Sequence, residues 1–385
     1  MSRPRNPKQD EMDLPVQPVN KPILCSPFVE PTEHWVYRTD TGVPYRHPDR
    51  RPASYWYKTQ ATTGPQMNLV AEEERDELPL VNALRGDVKA WREKRWDGAS
   101  TVTKDLLRHW TRDDRLRRLF FCQMEAVETI IYLQEILEAG RRLPRQDQNM
   151  AVTRADYDRL RRGQKTTFEE KRRLTVPPRL LDRPNEPGMP DLLRYGCKMA
   201  TGSGKTVVMA MLIAWAFCNR GRGTSRDRYA SAVLVVCPNL TIKERLQVLR
   251  PENSENYYQA FDLVPSQLMP ELAKGKVLVT NWHGFLPESP HAEGGKSYIV
   301  VNKGEESPEA FGRRVLGDLY DRGPLLVLND EAHHAYRPAL VVLFINTVTY
   351  CHDDSGRRLV SFPCRGGSDA ETKPFRDRVE RYRTG

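Results

Sequence analysis

The stretch Met199-Ala200-Thr201-Gly202-Ser203-Gly204-Lys205-Thr206 carries residue types suited to gripping a polyphosphate. Gly202 and Gly204, with Ser203 between them, leave backbone N–H groups free to crowd against phosphate oxygens. The Lys205 ammonium can reach β- and γ-phosphates, and the Thr206 hydroxyl suits Mg²⁺. The segment fits the pattern G-x-x-x-x-G-K-[ST] at every fixed position except the first, where Met199 replaces glycine. A second set of groups begins 125 positions after Lys205, where Asp330-Glu331-Ala332-His333-His334 follows an apolar run. An acidic pair is what a phosphate loop needs opposite its lysine: Asp330 to help hold Mg²⁺, Glu331 to orient or deprotonate an attacking water. His333 and His334 have no cysteine or third histidine nearby, which favours a polar coupling role over metal ligation. Taken alone, D-E-A-H is as readily a solvated strand end. Paired with the loop, it points specifically to a site for a nucleotide polyphosphate and Mg²⁺.

Elements of the right kind surround both segments. Residues 192–199 read as a strand entering the loop, and the apolar run 207–217 as a buried helix leaving it, so that a helix N-terminus faces the phosphates. Downstream, strands at 231–237, 276–280 and 325–328 alternate with helical patterns at 241–249 and 308–320, the signature of an α/β domain with a mostly parallel sheet. Parallel strands deliver their C-terminal ends to one edge, where ligands of open α/β sheets bind, so Lys205 and Asp330 can meet there. Upstream, the pattern turns helical from Thr101, with an amphipathic helix over 120–133.

Composition narrows the rest. The chain has 385 residues, 39% of them hydrophobic, enough for at least one substantial core, while 29 prolines and 29% charged residues point to irregular segments around it. The net charge of +9 favours polyanionic partners without naming one. Residues 141–183 hold thirteen Lys/Arg against six Asp/Glu; this stretch reads either as a strip along a phosphate backbone or as a solvated insertion. Residues 1–100 are rich in proline and aromatics with poor periodicity; such aromatics stack bases or, more often, pin a segment to its neighbour, and no site is assigned there. No signal-like h-region or membrane-length apolar run occurs, and the longest apolar run, 207–218, is too short to span a bilayer. Seven scattered cysteines without a C-x-x-C pair indicate a reducing, cytoplasmic setting and no zinc site.

These residues resemble the superfamily-2 helicases and translocases of the DEAH type, and within them the helicase (Res) subunits of type III restriction enzymes. Residues 199–206 look like helicase motif I, where the position of Met199 need not be glycine, and Asp330–His333 look like motif II. The run from Val235 through Pro238 and Asn239 resembles motif Ia, and the run from Val279 through Thr280 and Asn281 resembles motif Ib. The resemblance implies that these two loops touch the nucleic-acid backbone, and that Gln123 reads adenine. It covers residues 101–338 closely and 23–84 more loosely. It implies a RecA-like domain over 101–345, with the basic insertion 141–183, behind a mixed, irregular N-terminal region at 1–100. The activity it implies is ATP-driven movement along DNA, most readily double-stranded, with a modification (methyltransferase) subunit as partner.

Beyond Pro338 the resemblance lapses: neither motif III nor motif VI follows, and residues 346–385 show no helix or strand periodicity of any length. The expectation is therefore an incomplete motor, ended early by truncation or frame change, lacking a second RecA-like domain and a nuclease domain. Two rival readings stay open: a DNA-binding module with a vestigial ATP site, and a phosphate-loop enzyme of another kind such as a small-molecule kinase.

Overall fold

The computed structural model describes residues 18–38, 41–58, 73–137, 152–156, 193–285, 307–331 and 347–351. Two antiparallel hairpins come first, β1 (Glu33–Tyr37) with β2 (Pro44–Pro48), and β3 (Ser54–Lys58) with β4 (Glu73–Glu77). Helices α1 (Pro79–Glu93), α2 (Thr101–Trp110) and α3 (Phe121–Ile131) follow. The α/β part then runs β5 (Leu193–Gly196), α4 (Lys205–Arg222), β6 (Ala232–Cys237), α5 (Leu240–Arg245), α6 (Tyr257–Ala260), α7 (Met269–Lys274), β7 (Lys276–Asn281), α8 (Pro308–Leu316), β8 (Leu325–Asn329) and β9 (Thr347–Cys351). Its five-stranded sheet has the order β5-β9-β8-β6-β7. Strand β6 pairs in parallel with β7 and β8, whereas β9 runs antiparallel to both β8 and β5.

Period-two alternation in β6 divides the core into two layers. Val233, Val235 and Cys237 join the large cluster on one side of the sheet. Ala232, Leu234 and Val236 join a smaller cluster with Leu316 and Leu319, from the end of α8 and the turn after it, on the other. Helix α4 lies within the large cluster with its residues from Val207 to Asn219 all buried, which is why the segment reads as apolar all round rather than amphipathic. It shares that cluster with residues of β6, β7 and β8, and α2, α3 and α7 pack against it. The same cluster includes Val88 and Trp91 of α1, together with Trp96, so the core continues upstream of residue 100.

Several boundaries differ from the sequence pattern. The entering strand spans only 193–196, because residues 197–200 already belong to the loop. The helical pattern of 120–133 ends as α3 and passes into a π-helical turn, Tyr132–Leu137. That of 241–249 splits into α5 and a 3₁₀ turn at Leu246–Leu249. Helix α1 occupies sequence read as irregular: Leu80, Ala83, Leu84, Val88 and Trp91 share one helical face, and Pro79 sits in the first turn, where its missing N–H costs nothing. Strand β9 lies where no strand periodicity was expected; its β-branched and aromatic residues Thr347, Val348, Thr349 and Tyr350 suit a paired strand. Among the described residues no helix is long and apolar enough to cross a membrane.

A buried polar knot fixes α2, α4 and the π turn together. Glu135 accepts from Trp215 Nε1 at 2.8 Å, from the Ser100 backbone N–H at 2.9 Å, and from the Thr103 hydroxyl. Asn219 Nδ2 donates to Thr103 Oγ1 at 3.0 Å, and Ser100 Oγ donates to Asn219 Oδ1 at 2.6 Å. All five residues are buried, so every bond here is made without competition from water. Glu135→Ala removes the acceptor of the buried Ser100 N–H and Thr103 hydroxyl and leaves Trp215 Nε1 only its 3.0 Å bond to Thr103 Oγ1, and is expected to lower stability by about 3 kcal/mol. Urea unfolding of this variant against the parent checks the value.

Candidate nucleotide site

The loop is shaped by its two glycines. Gly202 and Gly204 have φ of 78° and 81°, a left-handed conformation that strains any residue with a Cβ. At Gly204 space is also closed, since a Cβ would stand 2.1 Å from Gln123 Nε2. Ser203 turns its hydroxyl inward to the Ala200 carbonyl at 2.6 Å, which tightens the bend. Helix α4 then starts at Lys205 with Gly204 as its N-cap and no side chain capping it, so its first N–H groups face the loop.

Asp330 and Glu331 arrive at the same edge from the end of β8. The Asp330 backbone N–H donates to the Val236 carbonyl at 2.8 Å, extending the β8–β6 pairing by one residue before the chain turns. Glu331 turns with φ of 52°, and Lys205 Nζ donates to its Oε1 at 2.9 Å. Both side chains are half-buried, at 19% and 29% exposure, so the pair is partly shielded from water. Asp330 is 9% exposed, and burial, with the Glu331 charge next, pushes its carboxyl above the ordinary value of 3.8; Lys205 and the Glu331 N–H pull it back in part. A buried carboxylate held near a second one is a place where a divalent cation relieves both burdens. Mg²⁺ commonly uses one or two carboxylates and completes its shell with phosphate oxygens and water, so Asp330 and the Thr206 hydroxyl suffice from the protein side. Together with the two left-handed glycines and the helix N-terminus, these groups fit a Mg²⁺–polyphosphate.

Gln123 stands beside the loop on the first turn of α3. It is 5% exposed, and both ends of its amide are used: Oε1 accepts from the Phe120 N–H at 2.9 Å, and Nε2 donates to the Ser203 carbonyl at 3.0 Å. The structure therefore brings it to the phosphate loop. To read adenine it must exchange one of these bonds. Pro238 and Asn239 follow β6, and Thr280 and Asn281 close β7, its parallel neighbour, so the two strand-end loops lie side by side. Asn239 caps α5, its Oδ1 accepting from the Ile242 N–H at 2.9 Å. His333, His334 and most of the basic stretch 141–183 lie outside the described residues.

The sequence did not disclose the support behind Gln123. Arg50 grips Glu125 of α3 through both terminal nitrogens at 2.5 and 2.6 Å, and Arg92 with Trp96 Nε1 grips the fully buried Glu128. The Phe121 N–H donates to the Pro27 carbonyl at 2.8 Å.

The family model for the type III restriction enzyme res subunit matches residues 122–351. The chain belongs to this family. The match opens beside Gln123, contains the loop, both strand-end segments and the acidic pair, and closes at the end of β9, inside the stretch from 346 that had no assignment. Membership makes this a RecA-like, helicase-type ATPase domain of restriction-enzyme kind, a family in which nucleotide and Mg²⁺ use is the rule. No curated protein and no solved structure matches the res-family chain.

The raised Asp330 carboxyl has a defined sign. The folded chain holds this proton more tightly than the unfolded one, so protonation favours folding. The stabilising contribution is full below the ordinary value of 3.8 and is lost as pH rises through the raised folded value. Asp330→Asn removes that loss. The nucleotide-free variant is expected to melt a few degrees above the parent at neutral pH, with the difference shrinking toward acid. Thermal scans across pH check this; a lower melting point at neutral pH would count against a strained carboxylate.

Proposed function

We propose that the chain is the ATP-driven motor of a DNA translocase of restriction type. The observation that carries this reading is the 2.9 Å contact between Lys205 Nζ and Glu331 Oε1, which unites two motifs 126 residues apart at the C-terminal edge of parallel strands. Lys205 and the loop N–H groups at 202–206 bind the β- and γ-phosphates, while Thr206 and Asp330 would hold Mg²⁺, which would supply neutralisation of phosphate charge. Glu331 positions the water. Where Lys205 Nζ turns from Glu331 Oε1 to a phosphate oxygen, that carboxylate becomes available for the water. Gln123 couples occupancy of the loop to α3 and, after exchanging a bond, reads the adenine.

Pro238, Asn239, Thr280 and Asn281, on adjacent strand ends of the same edge as the loop, contact the phosphate backbone of a double-stranded track. The net charge of +9 supports a polyanionic partner. A modification subunit with methyltransferase activity is the protein partner this family suggests. Turnover by one RecA-like domain can be slow, because a catalytic arginine from another domain or subunit is commonly worth about 10³–10⁵ in rate.

Steady-state ATP hydrolysis with and without double-stranded DNA tests the proposal. DNA is expected to raise the rate, and Glu331→Gln to abolish it while ATP binding persists. Hydrolysis indifferent to both DNA and Glu331→Gln would rule the motor reading out. DNA binding with no ATP response would favour a binding module with a vestigial site.

A further inference from the structure

The described tryptophan side chains fall into two groups. Trp91, Trp96, Trp110 and Trp215 are 1–7% exposed and belong to the core. Trp35 on β1 belongs to neither core cluster. It lines a cavity of about 340 Å³ between the β1–β2 hairpin and the segment 18–21, together with Pro44, Arg46, Asn20 and Lys21. Its indole Nε1 donates to the Lys21 carbonyl at 3.3 Å, which fixes the plane of the ring against that segment. The register places Arg46 directly opposite Trp35, with its guanidinium carbon 5.7 Å from the ring centroid. Arg46 is 55% exposed at its side chain, and its ion-pair partner, Glu33, stands 3.9 Å away. Arg51 donates to the Trp35 carbonyl at 2.6 Å. Tyr37 is 40% exposed on the Trp35 face of the hairpin; Tyr45, equally exposed and 5.9 Å from Arg38, faces the opposite side.

We propose that this hairpin cavity is a binding site for single-stranded nucleic acid, distinct from the phosphate loop and from the strand-end loops beside it. An indole held in a fixed plane offers a stacking surface for a base. Lys21 lines the same cavity and Arg46 lies over the ring, so two cations stand beside the stacking surface, where they can meet the phosphates of a bound strand. Alternation of planar rings with cations along an open surface is the chemistry that binds single strands with little sequence preference. The volume lies at the small end of ligand cavities and suits one nucleotide unit rather than a folded partner. Tyr37, one period along β1 on the same face as Trp35, extends the stacking surface beyond the cavity.

Fluorescence anisotropy of a labelled oligothymidylate with the full chain, in the absence of nucleotide, tests the site independently of any ATPase activity. Trp35→Ala is expected to weaken single-strand binding about tenfold, within the range of one base–aromatic stack, with Trp35→Phe retaining most of it. Arg46→Glu is expected to weaken it and to flatten its salt dependence. ATP affinity and affinity for a duplex of the same length should be unchanged in all three. If Trp35→Ala does not fold, the Arg46→Glu and Trp35→Phe pair decides. No oligothymidylate binding by the parent chain would overturn the proposal. Binding by Trp35→Ala and Arg46→Glu equal to the parent's, or equal losses for single strand and duplex, would do the same.

Discussion

Lys205 lies at the start of a helix and Glu331 just past the end of a strand, and the fold is arranged so that these two places coincide. The sheet achieves this by setting β6 and β8 in parallel, so that the N–H of Asp330 can still pair with Val236 at the edge before the chain turns. Helix α4 achieves it by having no free face: buried from Val207 to Asn219, it cannot rotate or slide without exposing apolar surface or breaking the Glu135 knot. An ion pair in partial contact with water adds little stability by itself. Its value here is positional, because it shows one cation and two carboxylates within reach of the same point.

The environment of that point is asymmetric. Asp330 is buried and costly to keep charged, whereas Glu331 is more exposed and already partnered by Lys205. Two adjacent carboxylates with different surroundings can take different roles, one ligating a cation and one handling water. On the far side of the loop, Gln123 is tied by both ends of its amide, and α3 is tied in turn to Arg50 next to the β1–β2 hairpin and to Arg92 of α1. The loop is thus braced by the neutral Gln123 amide, and the helix that carries Gln123 by charge-assisted hydrogen bonds reaching into the N-terminal segment.

Legibility in the sequence followed how narrowly chemistry limits the residues. Gly202, Gly204, Lys205, Asp330 and Glu331 stood out because few other residues can do their work, and β6 and α4 because buried elements need long apolar runs. Helix α1 was hidden because Asp87 falls on its apolar face, buried with Val88 and Trp91, and because it follows a segment of poor periodicity. Strand β9 was hidden by its length of five residues and by its place in the sheet, antiparallel among strands that otherwise share a direction. Long-range polar contacts such as Arg50–Glu125 leave no periodic trace at a separation of 75 residues. Nor does sequence distinguish an aromatic that is core, such as Trp96, from one that lines a surface cavity, such as Trp35.

Calorimetric titration of Mg²⁺–ATP into the parent chain and into Lys205→Ala tests most directly whether the loop and the acidic pair form one nucleotide site. Removing a charge-assisted contact of this kind is expected to cost about 1.5–3 kcal/mol, a loss of at least tenfold in affinity. Equal affinity in the two proteins would mean that the polyphosphate, if it binds, binds somewhere else.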